Sequence, residues 1–313
     1  MHRSLMAVAL LAGCRRDKEG EPLPAAGVME PVSVLWEGAE FPGSAPSVLR
    51  LNDAWHLYFA AREGSLIGTM HATGDDALSF SLVSSHRITD DLTPTAAESA
   101  RSAAAYASGS RAHLLVNLDT ADGDVVRHAT STDGHTFTAD ASPTFSATSP
   151  ETVAVTGAMF DAAEVTALLR ADDGSGDALI VTIARSGDGG TTFDAPAVAL
   201  SPDDLPTPWS SRTVGAGGMW SAVIAGRDDG SYNMLYLGAA PNGSSALGIG
   251  QAWSGDGEIW SSEGDLWYAP EDGQTINGLS LVPWEGGLEL WVGLSADDAN
   301  PLDAGAFYHT RIE

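Results

Sequence analysis

The sequence predicts an all-β protein, built from five tandem antiparallel units and closed into a ring. Three observations carry this. No stretch shows a helical period, and short strand-like runs alternate with Gly, Asp, Asn and Pro turns throughout. A turn of the form Ser-x-Asp-Gly, followed by an aromatic residue, recurs along the chain and is fullest at Ser186-Gly-Asp-Gly-Gly-Thr-Thr-Phe193. Ala72, Ala129, Ala184 and Ala252, each just ahead of a turn, are spaced by about 57, 55 and 68 residues, a period that marks repeat architectures.

Taken in order, Met1–Gly13 reads as a targeting segment. His2 and Arg3 give a positive start, and Leu5–Leu11 is an apolar core too short to span a bilayer. Leu11-Ala-Gly-Cys14 resembles the lipobox cut by the bacterial lipoprotein signal peptidase. Cys14 is the only cysteine, so no disulfide framework exists and a lipid-bearing residue is the expectation. That would tie the protein to a membrane of the cell envelope, and Arg15 after the cysteine points to the outer membrane. Arg15–Pro31 is charged, then rich in Pro, Ala and Gly, and reads as a flexible tether. The domain itself is expected over 32–313.

The first unit reads Ser47–Leu51, Trp55–Ala61, Leu66–Ala72 and Phe80–Ser84. The second spans about Ser99 to Phe145, with His113–Leu118 and Val125–Thr130 inside it. The third runs from Val153 to Leu200, with Val165–Arg170 and Ala178–Ala184. The fourth runs from Gly218 to Tyr268, with Tyr232–Gly238 and Ala246–Trp253; an insertion, Ser201–Gly218, precedes it. The fifth has Gly278–Pro283, Leu288–Leu294 and Gly305–Ile312, but no turn motif and no outer strand follow. The run Val32–Trp36 is free to fill that place, joining the chain ends and removing exposed edges. A five-bladed β-propeller results, closed by its N-terminal strand, and a monomer is expected. Its net charge of -27 and a single lysine, Lys18, repel nucleic acid.

Each turn is a structural staple. Asp and Gly supply the side-chain hydrogen bonds and positive φ that a tight reversal needs. Weaker copies are Thr73–Phe80, Thr130–Phe137 and Trp253–Trp260, giving Asp75, Asp133, Asp188 and Asp256 as the turn carboxylates. Their aromatic ends, Phe80, Phe137, Phe193 and Trp260, are expected to fold back into the apolar layer. This motif resembles the Asp-box of sialidases and related propellers, and its shorter form resembles the matching hairpin of five-bladed glycosidase-like propellers. Those families place the box away from the active site.

Resemblance to the arabinanase and xylosidase type implies three carboxylates from the first strands of blades one to three, two of them flanking the scissile bond. Their blade one begins Asp-Pro; here the place reads Ala45-Pro46, and the expected base is missing. The acids available in blades two and three are Glu98, Asp161 and Glu164. A sialidase resemblance would need an arginine clamp, for which Arg50, Arg101 and Arg212 are available, with Tyr106 or Tyr232 as the phenol. Each arginine is otherwise a surface ion-pair partner. Trp209 and Trp220 flank the insertion and can stack on a sugar ring. Arg101, Arg212, Trp209 and Trp220 are thus the candidate ligand contacts. Asp172–Asp177 reads as a hairpin turn before a metal loop, and His71, His128 and His309 as packing residues on third strands. No metal or cofactor is expected. The reading is a lipid-anchored, non-catalytic propeller that binds a glycan or an envelope protein, with a glycoside hydrolase acting on extracellular carbohydrate as the alternative.

Overall fold

The computed structural model describes residues 20–63, 66–83, 88, 99–120, 123–146, 153–172, 179–201, 219–239, 247–262, 266–296 and 301–313. Cys14, Glu98, Trp209 and Arg212 lie outside them, as do most of Asp172–Asp177 and of the insertion.

Strands β1 (Glu30–Trp36) and β2 (Ala39–Glu40) open the domain. Among the described residues five antiparallel meanders follow. Blade one holds β3 (Ser44–Leu51), β4 (Ala54–Glu63), β5 (Leu66–Gly74) and β6 (Ser79–Leu82). Blade two holds β7 (Ser99–Ser108), β8 (Arg111–Thr120), β9 (Gly123–Ser131), β10 (Thr138–Ala139) and β11 (Phe145–Ser146). Blade three holds β12 (Val153–Asp161), β13 (Glu164–Asp172), β14 (Leu179–Ser186) and β15 (Ala197–Leu200). Blade four holds β16 (Met219–Gly226), β17 (Tyr232–Ala239) and β18 (Leu247–Ser254); blade five holds β19 (Gln274–Trp284), β20 (Gly287–Ala296) and β21 (Ala306–Ile312). A helical turn, Pro301–Ala304, departs from the strand pattern.

The middle strands are apolar on both faces because each blade is covered on both sides. Along β20, Leu288, Leu290, Val292 and Leu294 enter one buried cluster while Trp291 enters another. One such cluster fills each gap between neighbouring blades. Leu49 and Leu114 meet between blades one and two, and Leu115 and Val165 between two and three. Leu168 and Met234 meet between three and four, Leu235 and Leu290 between four and five, and Trp291 and Leu57 between five and one.

Polar side chains lace the ring near its axis. Ser280 Oγ accepts from Val48 N at 2.8 Å, and Ser47 Oγ accepts from Ala105 N at 2.7 Å. Asn117 Oδ1 accepts from Val155 N at 2.8 Å, and Thr156 Oγ1 accepts from Ala222 N at 3.1 Å. These bonds tie blade five to one, one to two, two to three and three to four. The chain ends seal the ring as the spacing predicts, with a shifted register. Glu30, Pro31 and Val32 pair with His309, Tyr308 and Phe307 of β21, after which Ser33–Leu35 run parallel to Ser79–Ser81 of β6. Of the anticipated Val32–Trp36 run, only Val32 pairs with the last strand.

The turns after the third strands are held by carboxylates. Asp133 Oδ1 accepts from His135 N and Thr136 N, both at 2.8 Å, and from Ser131 Oγ at 2.7 Å. Asp188 and Asp256 repeat the arrangement with Ser186 and Ser254. The Ser131 hydroxyl, then the Thr136 and His135 amides, hold Asp133 well below the usual carboxylate range. In blade one the sequence reading is off by one: Asp76, not Asp75, accepts from Leu78 N and Ser79 N at 2.9 and 2.7 Å. Gly74 occupies the place of the serine there, and a Cβ on it would lie 2.3 Å from Ser79 O.

Each turn also clasps the preceding blade. Tyr58 Oη donates to Gly134 O at 2.7 Å, Tyr106 Oη to Gly189 O at 2.9 Å, Arg185 to Gly257 O at 3.0 Å and Trp291 Nε1 to Ala77 O at 3.1 Å. Phe80 and Phe137 fold back into the same gaps, and Phe193 and Trp260 pack against theirs half-buried. Among the described residues no such turn follows β21, and residues 20–29 reach blade four in its place. Asn233 Nδ2 of blade four donates to Glu21 O at 2.9 Å, Leu23 N donates to Gln251 Oε1 at 2.8 Å, and Trp267 Nε1 donates to Pro24 O at 2.7 Å. Leu23 is 6% exposed, in the cluster between blades four and five. The tether expected over Arg15–Pro31 is therefore a docked strap in its described part, because side chains of blade four supply the hydrogen bonds that its composition lacks.

Candidate functional site

Chain direction defines the two mouths of the funnel. First strands begin at the upper mouth and end at the lower one; the Asp-centred turns, which close third strands, lie at the lower end. Every first strand carries a β-bulge near its start, where the register shifts between Ser44 and Ser47, Ala100 and Ser102, Val155 and Gly157, Met219 and Ser221, and Ile276 and Gly278. A bulge re-aims side chains and sharpens the local twist. Arg101 and Trp220, two of the candidate contacts, hold the bulge positions of β7 and β16, equivalent to Thr156 and Asn277.

The upper mouth encloses a cavity of about 290 Å³ whose walls include Ala45, Pro46, Ser102, Ala154, Ser221 and Asn277. Asp124 is the one carboxylate, and Arg170 the one guanidinium, among the described residues lining it. Asn117 and Thr156 also face it, with their polar atoms engaged between blades. Asn277 Oδ1 accepts from Ala45 N at 3.4 Å. Its Nδ2 is buried without a hydrogen-bond partner among the described residues, a donor open to a ligand oxygen.

Asp161 and Glu164 are not here. They pair across the β12–β13 hairpin, at the lower end of the blade. Glu164 lies 3.6 Å from Arg185, and Asp161 faces the lower cavity. Their type suited the chemistry; their place does not, Asp161 ending the first strand β12 and Glu164 opening the second strand β13. Of the expected acids only Glu98 directly precedes a first strand. Glu151, two residues ahead of β12 in the sequence, has the same relation and was missed; its signal was position, since no motif marks it.

The histidines pack in ladders against the turns. His56 Nδ1 lies 3.0 Å from His71 Nε2, and His71 Nδ1 lies 3.2 Å from His135 Nδ1. His113 Nδ1 lies 3.0 Å from His128 Nε2, whose Nδ1 meets Asp140 Oδ2 at 2.8 Å. Burial, with help from His56 and His135, pulls His71 down to about 3. Burial also pulls His113 down to about 4, with His128 and Arg111 adding to it. His309 Nε2 meets the buried Glu289 carboxylate at 2.6 Å. Among the described residues no group of three or more His, Cys, Asp or Glu side chains is arranged to hold a metal ion.

No protein-family model and no curated protein matches the sequence. The fold is widely shared nonetheless. A thermostable family-43 glycoside hydrolase superposes with a TM-score of 0.66 at 14% identity, over 92% of this chain and 90% of the hydrolase. An endo-arabinase from Bacteroides thetaiotaomicron gives 0.64 at 16% identity, over 92% and 98% of the two chains. The GH32 β-fructofuranosidase of Bombyx mori gives 0.62 at 12% identity, and this chain spans 61% of its length. The fold is a β-propeller of the kind these glycoside hydrolases use.

Proposed function

We propose that this protein is a carbohydrate-active propeller of the glycoside hydrolase type, with its sugar site at the upper mouth. The supporting observation is the match over nearly the whole chain to carbohydrate-cleaving enzymes, together with a cavity at the start of the first strands. This favours hydrolysis over the non-catalytic reading that the sequence put first. The matched enzymes include an arabinase and a β-fructofuranosidase, so a furanose-containing glycan is the substrate class. Glu98 protonates the leaving oxygen, Asp124 of the cavity wall activates water, and Asn277 Nδ2 donates to a sugar oxygen. Arg101 and Trp220, at the bulge positions of β7 and β16, are the candidate ring contacts, and Arg212 and Trp209 of the insertion are further candidates.

Reducing-end release from arabinan, levan and sucrose tests this. Turnover on at least one substrate is expected, falling by two orders of magnitude or more in Glu98→Gln. Binding without turnover would support the second reading, a non-catalytic glycan binder, which Ala45 at the place of the family base favours. Neither binding nor turnover across the panel would refute the site. The lipid anchor belongs to the same proposal: Cys14 would hold the protein to an envelope membrane, and metabolic fatty-acid labelling that survives Cys14→Ser would exclude it.

A further inference from the structure

We propose that the lower mouth is a second ligand site, for a uronic acid sugar whose carboxylate is held by Arg50. The cavity there is about 630 Å³, larger than the upper one, and the ends of all five first strands wall it. That volume suits a small ligand.

Arg50 is half-buried, and its guanidinium carbon lies 4.0 Å from the Trp284 ring centroid and 5.2 Å from that of Trp55. The two indoles meet edge to face at 5.7 Å. The stack fixes where the guanidinium sits but satisfies none of its N–H donors. Among the described residues Arg50 has no carboxylate or hydrogen-bond partner. Arg185 and Arg311, by contrast, each reach two glutamates within 4.0 Å. In a chain with 42 acidic and 15 basic residues, a pre-oriented guanidinium without a carboxylate is an open fork for one.

The rest of the wall suits a sugar body. Asp161 is exposed and without a partner among the described residues, so it can accept from ring hydroxyls. Phe160 and Pro283 offer apolar surface to the ring face. Arg227 borders the same cavity, and its guanidinium donates to Asn233 Oδ1 at 3.3 Å. It is the second cation near the carboxylate.

Calorimetric titration of the full chain with galacturonate and with galactose tests the site. Galacturonate is expected to bind at least ten-fold more tightly than galactose. Arg50→Gln should lose at least ten-fold of that affinity, and Arg50→Lys several-fold, because an ammonium cannot engage a carboxylate bidentately. Equal affinity for both sugars, no binding of galacturonate, or full binding by a folded Arg50→Gln would overturn the assignment. Should Arg50→Gln not fold, NMR shift mapping on the unmodified protein decides: galacturonate must move the Trp284 indole and Arg50 signals, and shifts confined to the upper mouth refute it. The upper-mouth panel is read independently, so either site can fail without the other.

Discussion

Acid should loosen the junction between blades one and two, and His71 gives the size of the effect. This side chain is 2% exposed and is held neutral between His56 and His135. Its folded value is about 3, set first by burial and then by the two imidazoles; in the unfolded chain it titrates at about 6.5. The folded state therefore binds fewer protons. Its stabilising contribution is complete above about pH 6.5 and declines as pH falls towards 3. At about pH 4.5 the unfolded imidazole is two units below its midpoint and the folded one still neutral, so the loss is roughly 2.7 kcal/mol. The assay is urea unfolding of the native chain and of His71→Gln at pH 7 and pH 4.5. Gln cannot charge, so the gap between the two pH values should narrow by about 2–3 kcal/mol in the variant. The other ladders are common to both proteins and cancel. An unchanged gap would refute the reasoning, because it would mean that His71 gains its proton without disturbing the fold.

Three further outcomes follow from the turns and the strap. Asp76→Ala should lower the thermal midpoint by about 2–4 °C while Asp75→Ala leaves it in place, since only Asp76 accepts the turn amides; the reverse order would restore the sequence-based assignment. Gly134→Ala should cost about 1–3 kcal/mol in denaturant unfolding, because its φ is 72° and a Cβ would lie 2.6 Å from His56. Leu23→Ala should cost about 2–4 kcal/mol and open residues 20–29 to protease; a variant as stable and as resistant as the parent would contradict the docked strap.

The strand skeleton was legible because both periods are written in the side chains. Trp55–Ala61, Leu288–Leu294 and their equivalents are apolar on both faces, and the alanines at 72, 129, 184 and 252 share a register. The turn of blade one was misread because its serine is replaced by Gly74, which left Thr73 to mimic the motif one residue early. The strap was invisible: Leu23 is one apolar residue among prolines and alanines, and its hydrogen bonds come from Gln251, Asn233 and Trp267, more than 200 positions away. Asp161 and Glu164 had the right functional groups, but residue type does not say which end of the blade they occupy; chain direction does. Arg50 read as a surface ion-pair partner because nothing near it in sequence announces Trp284.

The clasp between Glu30–Val32 and Phe307–His309 has a consequence for biogenesis. The two halves of that latch, Glu30–Val32 and Phe307–His309, lie on either side of all five blades in the sequence, so they are made far apart in time. Until the final strand emerges, the nascent wheel has an open rim with unpaired amides at blade one and none of the wrap that fastens blade five. Such a chain stays threadable for as long as it is being made. Once β21 arrives the ring locks in one late, cooperative step, so a stop placed just before Ala306 should leave an aggregating species.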